Sequence, residues 1–208
     1  MPESCLETSL FTCKMKKLVL LFIFLTSVGF SQTIIEKTDG SKLAVASVTI
    51  NTNSEKITYF LPNDTQAITA GFMEIKLVYG TDYIFKVFRI KKKFKGFYIL
   101  SESKTKTLAL VKDQRIANRG GFDLPYNHFS IVVFDKNEEV VDQLNFSDTN
   151  TGNNAKYRGK VPGLIKSNFS DCPALMHQIN QFENQSDDPK NRKILDFFSD
   201  ATKRISCE

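Results

Sequence analysis

The stretch from Tyr83 to Ile90 most constrains the fold of this chain. Its two alternating sets are both apolar: Tyr83, Phe85 and Val87 on one, Ile84, Phe88 and Ile90 on the other. A strand that buries both faces belongs inside a sheet with cover on each side. Around it run further short apolar segments separated by turn residues. Ile34 and Ile35 lead to Asp39-Gly40, and Leu43–Ile50 ends at the polar run Asn51–Ser54. Lys56–Leu61 stops at Pro62, and Glu74–Tyr79 stops at Gly80. Phe97–Leu100, Thr107–Val111, His128–Phe134 and Glu139–Phe146 continue the pattern. This spacing predicts an antiparallel sheet, a small barrel or a sandwich.

The period changes late in the chain. From Pro162 onward it is helical, and Cys172, Leu175, Ile179 and Phe182 share one helical face. Ile194, Phe197, Phe198, Ala201 and Ile205 share another. Pro173 and Pro189 each fall in a first turn behind Ser or Asp capping residues. Two helices, about Cys172–Gln185 and Pro189–Arg204, with a short link predict an antiparallel helical hairpin. The expected class is α+β: a β-rich body over residues 32–146 followed by a hairpin over 162–208.

The N-terminal region has the order of a secretory signal. Met15, Lys16 and Lys17 precede the apolar run Leu18–Phe30, and the small residues Gly29 and Ser31 precede Gln32. The run is shorter than the ~20 residues a membrane span requires. Met15 reads as the start, because Glu3 and Glu7 upstream are out of place in a signal peptide. Cleavage before Gln32 leaves 177 residues, one exported domain without a membrane span. Gln32 in place of Cys after the apolar run argues against lipidation. Of four cysteines only Cys172 and Cys207 remain. Two cysteines in an oxidising compartment predict a disulfide, and the antiparallel hairpin would bring this pair together.

Charge is concentrated. Residues 83–112 carry nine Lys or Arg against the single acid Glu102, whereas the mature chain as a whole is only +4. Lys91, Lys92 and Lys93, near Phe88, Phe94 and Phe97, are candidate polyanion contacts. The same lysines also read as solubilising charge at a strand edge. Export argues against intracellular nucleic acid as a partner. An envelope component or an anionic ligand fits better.

Residues 113–127 interrupt the strand rhythm, with Gly120-Gly121 and Pro125 and no clear period. A loop of this length in a compact domain is commonly functional. It offers Arg115, Arg119, Asp123 and Tyr126, with His128 just beyond, as candidate binding residues. Two guanidiniums suit a carboxylate or phosphate, and an Asp with a His suits acid–base work. The plainer reading pairs Arg with Asp inside a structural loop. No GxSxG, P-loop, GxGxxG, HExxH or CxxC pair occurs, so no catalytic residue, metal site or cofactor is indicated.

The signal ending SVGFSQ, the opening EKTDGSKL (Glu36–Leu43), NRGGFDLPYNHF (Asn118–Phe129) and SDCP (Ser170–Pro173) resemble a group of small secreted proteins of flavobacteria and their relatives. That group carries no assigned activity, so the resemblance implies a source and a compartment only. The leading functional expectation is a non-enzymatic envelope or secreted protein that binds a ligand or partner. The alternative is a hydrolase or lyase built on residues 113–127. The two differ in whether Arg115, Arg119, Asp123 and His128 converge in one pocket.

Overall fold

The computed structural model describes residues 32–182, 188–200 and 202–207. Their strands are β1 (Thr33–Lys37), β2 (Lys42–Val45), β3 (Ser47–Asn51), β4 (Lys56–Phe60), β5 (Ala67–Gly71), β6 (Ile75–Tyr79), β7 (Ile84–Ile90), β8 (Lys93–Glu102), β9 (Lys106–Arg119), β10 (Phe122–Asp135), β11 (Val140–Ser147) and β12 (Ile205–Ser206). The helices are α1 (Gly152–Asn168), α2 (Pro173–Asn180) and α3 (Ile194–Phe197). A large sheet runs β11-β10-β9-β8-β7-β6-β1-β2, and β3-β4-β5 form a second, smaller one. All pairs are antiparallel except β12, which lies parallel to β8 at Ser101 and Glu102. The chain is therefore α+β, as expected.

Register explains where the core sits. Ile35, Val78, Phe85, Tyr98, Leu110, Ile131 and Leu144 are successive cross-strand partners, so they form one apolar row across seven strands. Over β1, β6 and β7 this face is covered by the small sheet, through Ile57, Tyr59 and Ala70. Over β9 to β11 it is covered by the helices, through Val161, Ile165, Leu175, Ile179 and Phe198. Each such side chain contributes roughly 1.5–3 kcal/mol when fully buried.

The opposite face has its own cluster: Phe88, Phe97, Ile99, Ala109, Val111, Val132 and Phe134. Every member comes from β7, β8, β9 or β10, so the sheet covers this cluster by curling over it. Phe88 of β7 stacks on Phe134 of β10 with ring centroids 3.8 Å apart. Lys86 of β7 likewise reaches Glu138, in the β10–β11 turn, at 2.6 Å.

The two-sided strand read from the sequence is β7. Phe85 and Val87 enter one cluster and Phe88 the other. Other expectations need correction. Leu43–Ile50 is two strands, because the chain leaves the large sheet at Ala46, whose amide donates to Phe60 O of the small one. β5 was not anticipated.

Residues 113–127 are not a loop. They are the distal part of the β9–β10 hairpin, closed at Gly120-Gly121 with φ of +60° and +86°. Their strand period is invisible because Gln114, Arg115, Ile116, Phe122 and Leu124 are all exposed, so neither face is selected for apolar side chains.

The helical hairpin is also corrected. α1 begins at Gly152 and carries Pro162 in its interior, so that proline marks no boundary. α2 runs Pro173–Asn180, and residues 183–185 of the expected first helix lie outside the described residues. The expected second helix is the single turn α3. Asp188 and Asp200 bind backbone amides of Lys193 and Thr202, which favours local turns over a continued helix. Ile205 then pairs with β8.

Cys172 and Cys207 are bonded, with Cα atoms 4.6 Å apart. The predicted pairing holds, but β12 on β8, rather than a helical hairpin, brings Cys207 to the start of α2. Residues 1–31, which hold the expected signal peptide from Met15, lie outside the described residues.

Candidate functional site

The large sheet divides in the middle. β8 pairs with β7 from Lys93 to Tyr98 but with β9 only from Tyr98 onward. Past Leu110, β9 keeps β10 as its only strand partner among the described residues. Gly96 sits at this division over Phe85, and a Cβ there would stand 2.0 Å from the Phe85 ring. The tight contact fixes the path of β8 as β9 diverges from it.

A groove of about 410 Å³ opens where the strands separate. That volume lies in the range of small-molecule sites. Phe97 and Val111 supply apolar surface, and Glu55, Lys95, Asp113, Arg115 and His128 supply the charged and titratable groups. Strand alternation places them together. Val111, Asp113 and Arg115 are two residues apart on β9, and Ser130, His128 and Tyr126 are their partners on β10. The turn after β3 closes the other wall with Thr52, Asn53 and Glu55.

Asp113 ties these parts together. Thr52 Oγ1 donates to its Oδ1 at 2.6 Å, and Arg115 lies 3.7 Å from its Oδ2. The carboxylate therefore pins the β3–β4 turn to the hairpin and orients the Arg115 guanidinium. About half of the Arg115 side chain stays exposed and free to meet a ligand. His128 Nδ1 is buried without a hydrogen-bond partner. Burial holds the imidazole below its ordinary pKa, with Arg115 adding to the effect and Asp113 opposing it. A neutral imidazole beside Lys95 and the half-exposed Arg115, with Asp113 already engaged and Glu55 on the opposite wall, suits a small ligand carrying an anionic group and a hydrogen-bonding body.

Two of the residues read from the sequence, Arg115 and His128, thus meet in one groove. The others do not. Asp123 pairs with Asn118 on the opposite face of the hairpin and accepts from its Nδ2 at 3.0 Å. The acid–base pair Asp123 with His128 is therefore not assembled. Tyr126 is the cross-strand partner of Arg115 but does not line the groove. Arg119 pairs with Phe122 through the backbone at the far end of the hairpin.

Lys91 and Lys92 form the β7–β8 turn with φ of +47° and +72°, the conformation of a tight hairpin turn, and with Lys93 they are exposed. Lys86 of the same basic hairpin is taken up by Glu138. Sequence reasoning missed Lys95, Thr52 and Asp113 as groove residues. The i, i+2, i+4 spacing of Val111, Asp113 and Arg115 was the available signal.

Among the described residues no group of His, Cys, Asp and Glu is placed to hold a metal ion. None of their helices is long and apolar enough to cross a membrane. Comparisons with protein-family models, curated proteins and solved structures give no significant match. The groove itself carries the functional argument.

Proposed function

We propose that this chain is an exported, non-enzymatic binding module that holds a small carboxylate- or phosphate-bearing ligand in the groove between β8 and β9. One observation carries this: Arg115, Lys95 and the unpartnered imidazole of His128 converge with Phe97 and Val111 around one cavity. Binding is favoured over hydrolysis or elimination because Asp113, the carboxylate paired across the strands with His128, is engaged through both oxygens by Thr52 and Arg115. A general base needs that carboxylate free to take a proton. Export is supported by the signal-like order of Met15 to Gln32 and by the Cys172–Cys207 disulfide, a bond favoured in oxidising compartments.

The test is a thermal-shift screen of residues 32–208 against citrate, glutamate, inorganic phosphate, a sugar phosphate and a sugar acid. At least one should raise the melting temperature by about 5 °C at saturation. Arg115→Gln should abolish that rise. A flat response to the whole panel, or a rise equally large in Arg115→Gln, would remove the groove as the binding site.

A further inference from the structure

We propose that the outer edge of β9, from Gln114 to Asn118, is a docking edge for a second copy of this chain, forming a symmetric dimer through antiparallel pairing of the two β9 arms. Beyond Leu110 β9 leaves β8, beyond His128 β10 leaves β11, and among the described residues this stretch of β9 has strand contact with β10 alone. Which backbone groups face the open edge follows from its partner strand. Asn127 N donates to Asp148 Oδ1 at 3.0 Å, and Asn127 O accepts from Asp148 N at 3.1 Å, so both groups of Asn127 point away from β9. Asn127 opposite Gln114 is therefore a non-hydrogen-bonded pair. By alternation Pro125 opposite Ile116 and Asp123 opposite Asn118 are too, which also accommodates the missing amide of Pro125. The N–H and C=O groups of Gln114, Ile116 and Asn118 thus all face outward on β9.

Self-pairing satisfies them in one register. A twofold axis at Ile116 sets Ile116 against its own copy and Gln114 against Asn118 on each side. All three outward-facing residues then meet one another, giving about six ladder hydrogen bonds. On that face the contacts are an apolar pair between two amide pairs. On the other face Arg115 meets Ala117, and Asp113 meets the position of Arg119. Registers centred on Arg115 or Ala117 set arginine against arginine, which is repulsive. One centred on Gln114 sets Asn118 against Leu110, whose edge Tyr98 of β8 already occupies.

Exposure fits the same occupant. Ile116 is 68% exposed on an otherwise polar edge, and its own copy would cover it. Pro125 blunts the β10 edge of the arm, so of the arm's two edges only β9 can pair, and this contact closes as a dimer instead of extending as a fibre.

The experiment is site-specific crosslinking of residues 32–208 under mild oxidation, with sedimentation of the unmodified chain. In the proposed register two copies of Ile116→Cys have Cα atoms about 5.5 Å apart, within disulfide reach. Two copies of Asn118→Cys are about 14 Å apart, out of reach. Ile116→Cys should give a covalent dimer and Asn118→Cys should not. Ile116→Lys, which sets two lysines face to face, should weaken the dimer about tenfold or more while circular dichroism stays unchanged. A strictly monomeric chain at roughly millimolar concentration, or equal crosslinking of the two cysteine variants, overturns the proposal.

Discussion

Phe88 and Phe134 stack ring on ring, 3° from parallel with centroids 3.8 Å apart, although β8 and β9 lie between their strands. A flat sheet would hold their backbones about 14 Å apart. The pair therefore closes the curl of the large sheet. Phe97 packs edge-on against both rings, at 5.9 Å from Phe88 and 5.6 Å from Phe134. Replacing either stacked ring by Ala should cost about 3–5 kcal/mol in urea unfolding. A double-mutant cycle should show coupling of about 0.5–1.5 kcal/mol. Strictly additive losses would mean that the rings stabilise their strands independently.

Arg158 is fully buried, yet among the described residues it forms no ion pair with a carboxylate. Its Nη1 donates to Ser147 O and Thr149 O, and its Nε and Nη2 donate to Lys190 O. One guanidinium thus joins the end of β11, the start of α1 and the segment before α3. Arg158→Met should destabilise by about 3 kcal/mol, because it leaves three carbonyls short of donors, that of Ser147 buried. Arg158→Lys should not restore the loss, since an ammonium cannot reproduce the planar fork. Full rescue by Lys would reduce Arg158 to a point charge.

Acid should act on the groove through His128. Its imidazole is held below the ordinary value, chiefly by burial, so the unfolded chain takes up a proton more readily than the folded one. Stability attributable to this residue is intact above the unfolded-state pKa, about 6.5, and falls as pH drops from there towards the folded-state value. Melting curves between pH 7.5 and 5, in steps of about half a unit, should show a decline that is shallower in His128→Gln. Superimposable slopes would contradict the depressed imidazole.

Ser101 is buried against the disulfide, with its Oγ 2.8 Å from Cys207 Sγ and donating to Ile205 O at 2.9 Å. Ser101 thereby anchors β12, the last described strand, to β8, while the disulfide ties its end to the start of α2. Exported protein should begin at Gln32 by N-terminal sequencing and contain no free thiol. Reduction should cost about 3–4 kcal/mol, because the bond closes a loop with a sequence separation of 35. A mature form that retains Leu18–Phe30, or two alkylatable thiols in the folded state, would contradict export through the oxidising route.

The β-rich body was legible because its strands bury at least one face, and Phe85 and Phe88 on opposite sides of β7 are the clearest example. The β9–β10 arm was not, since Ile116 and Phe122 stand in solvent and leave no alternation to read. The groove was half legible. Arg115 and His128 stood out as residue types, but Thr52 and Lys95 reach the site only through the fold. Cys172 and Cys207 could be paired by count and compartment. The helical hairpin expected to join them does not form, and β12 on β8 does that work instead.

The most direct test of the binding function is a chemical-shift map of isotopically labelled residues 32–208, titrated with the small anion that gives the largest thermal shift. The largest perturbations should fall on Lys95, Phe97, Val111, Asp113, Arg115 and His128, and should vanish in Arg115→Gln. Perturbations confined to the Lys91–Lys93 turn, with the groove silent, would contradict the assignment and leave a surface cation patch as the anion contact.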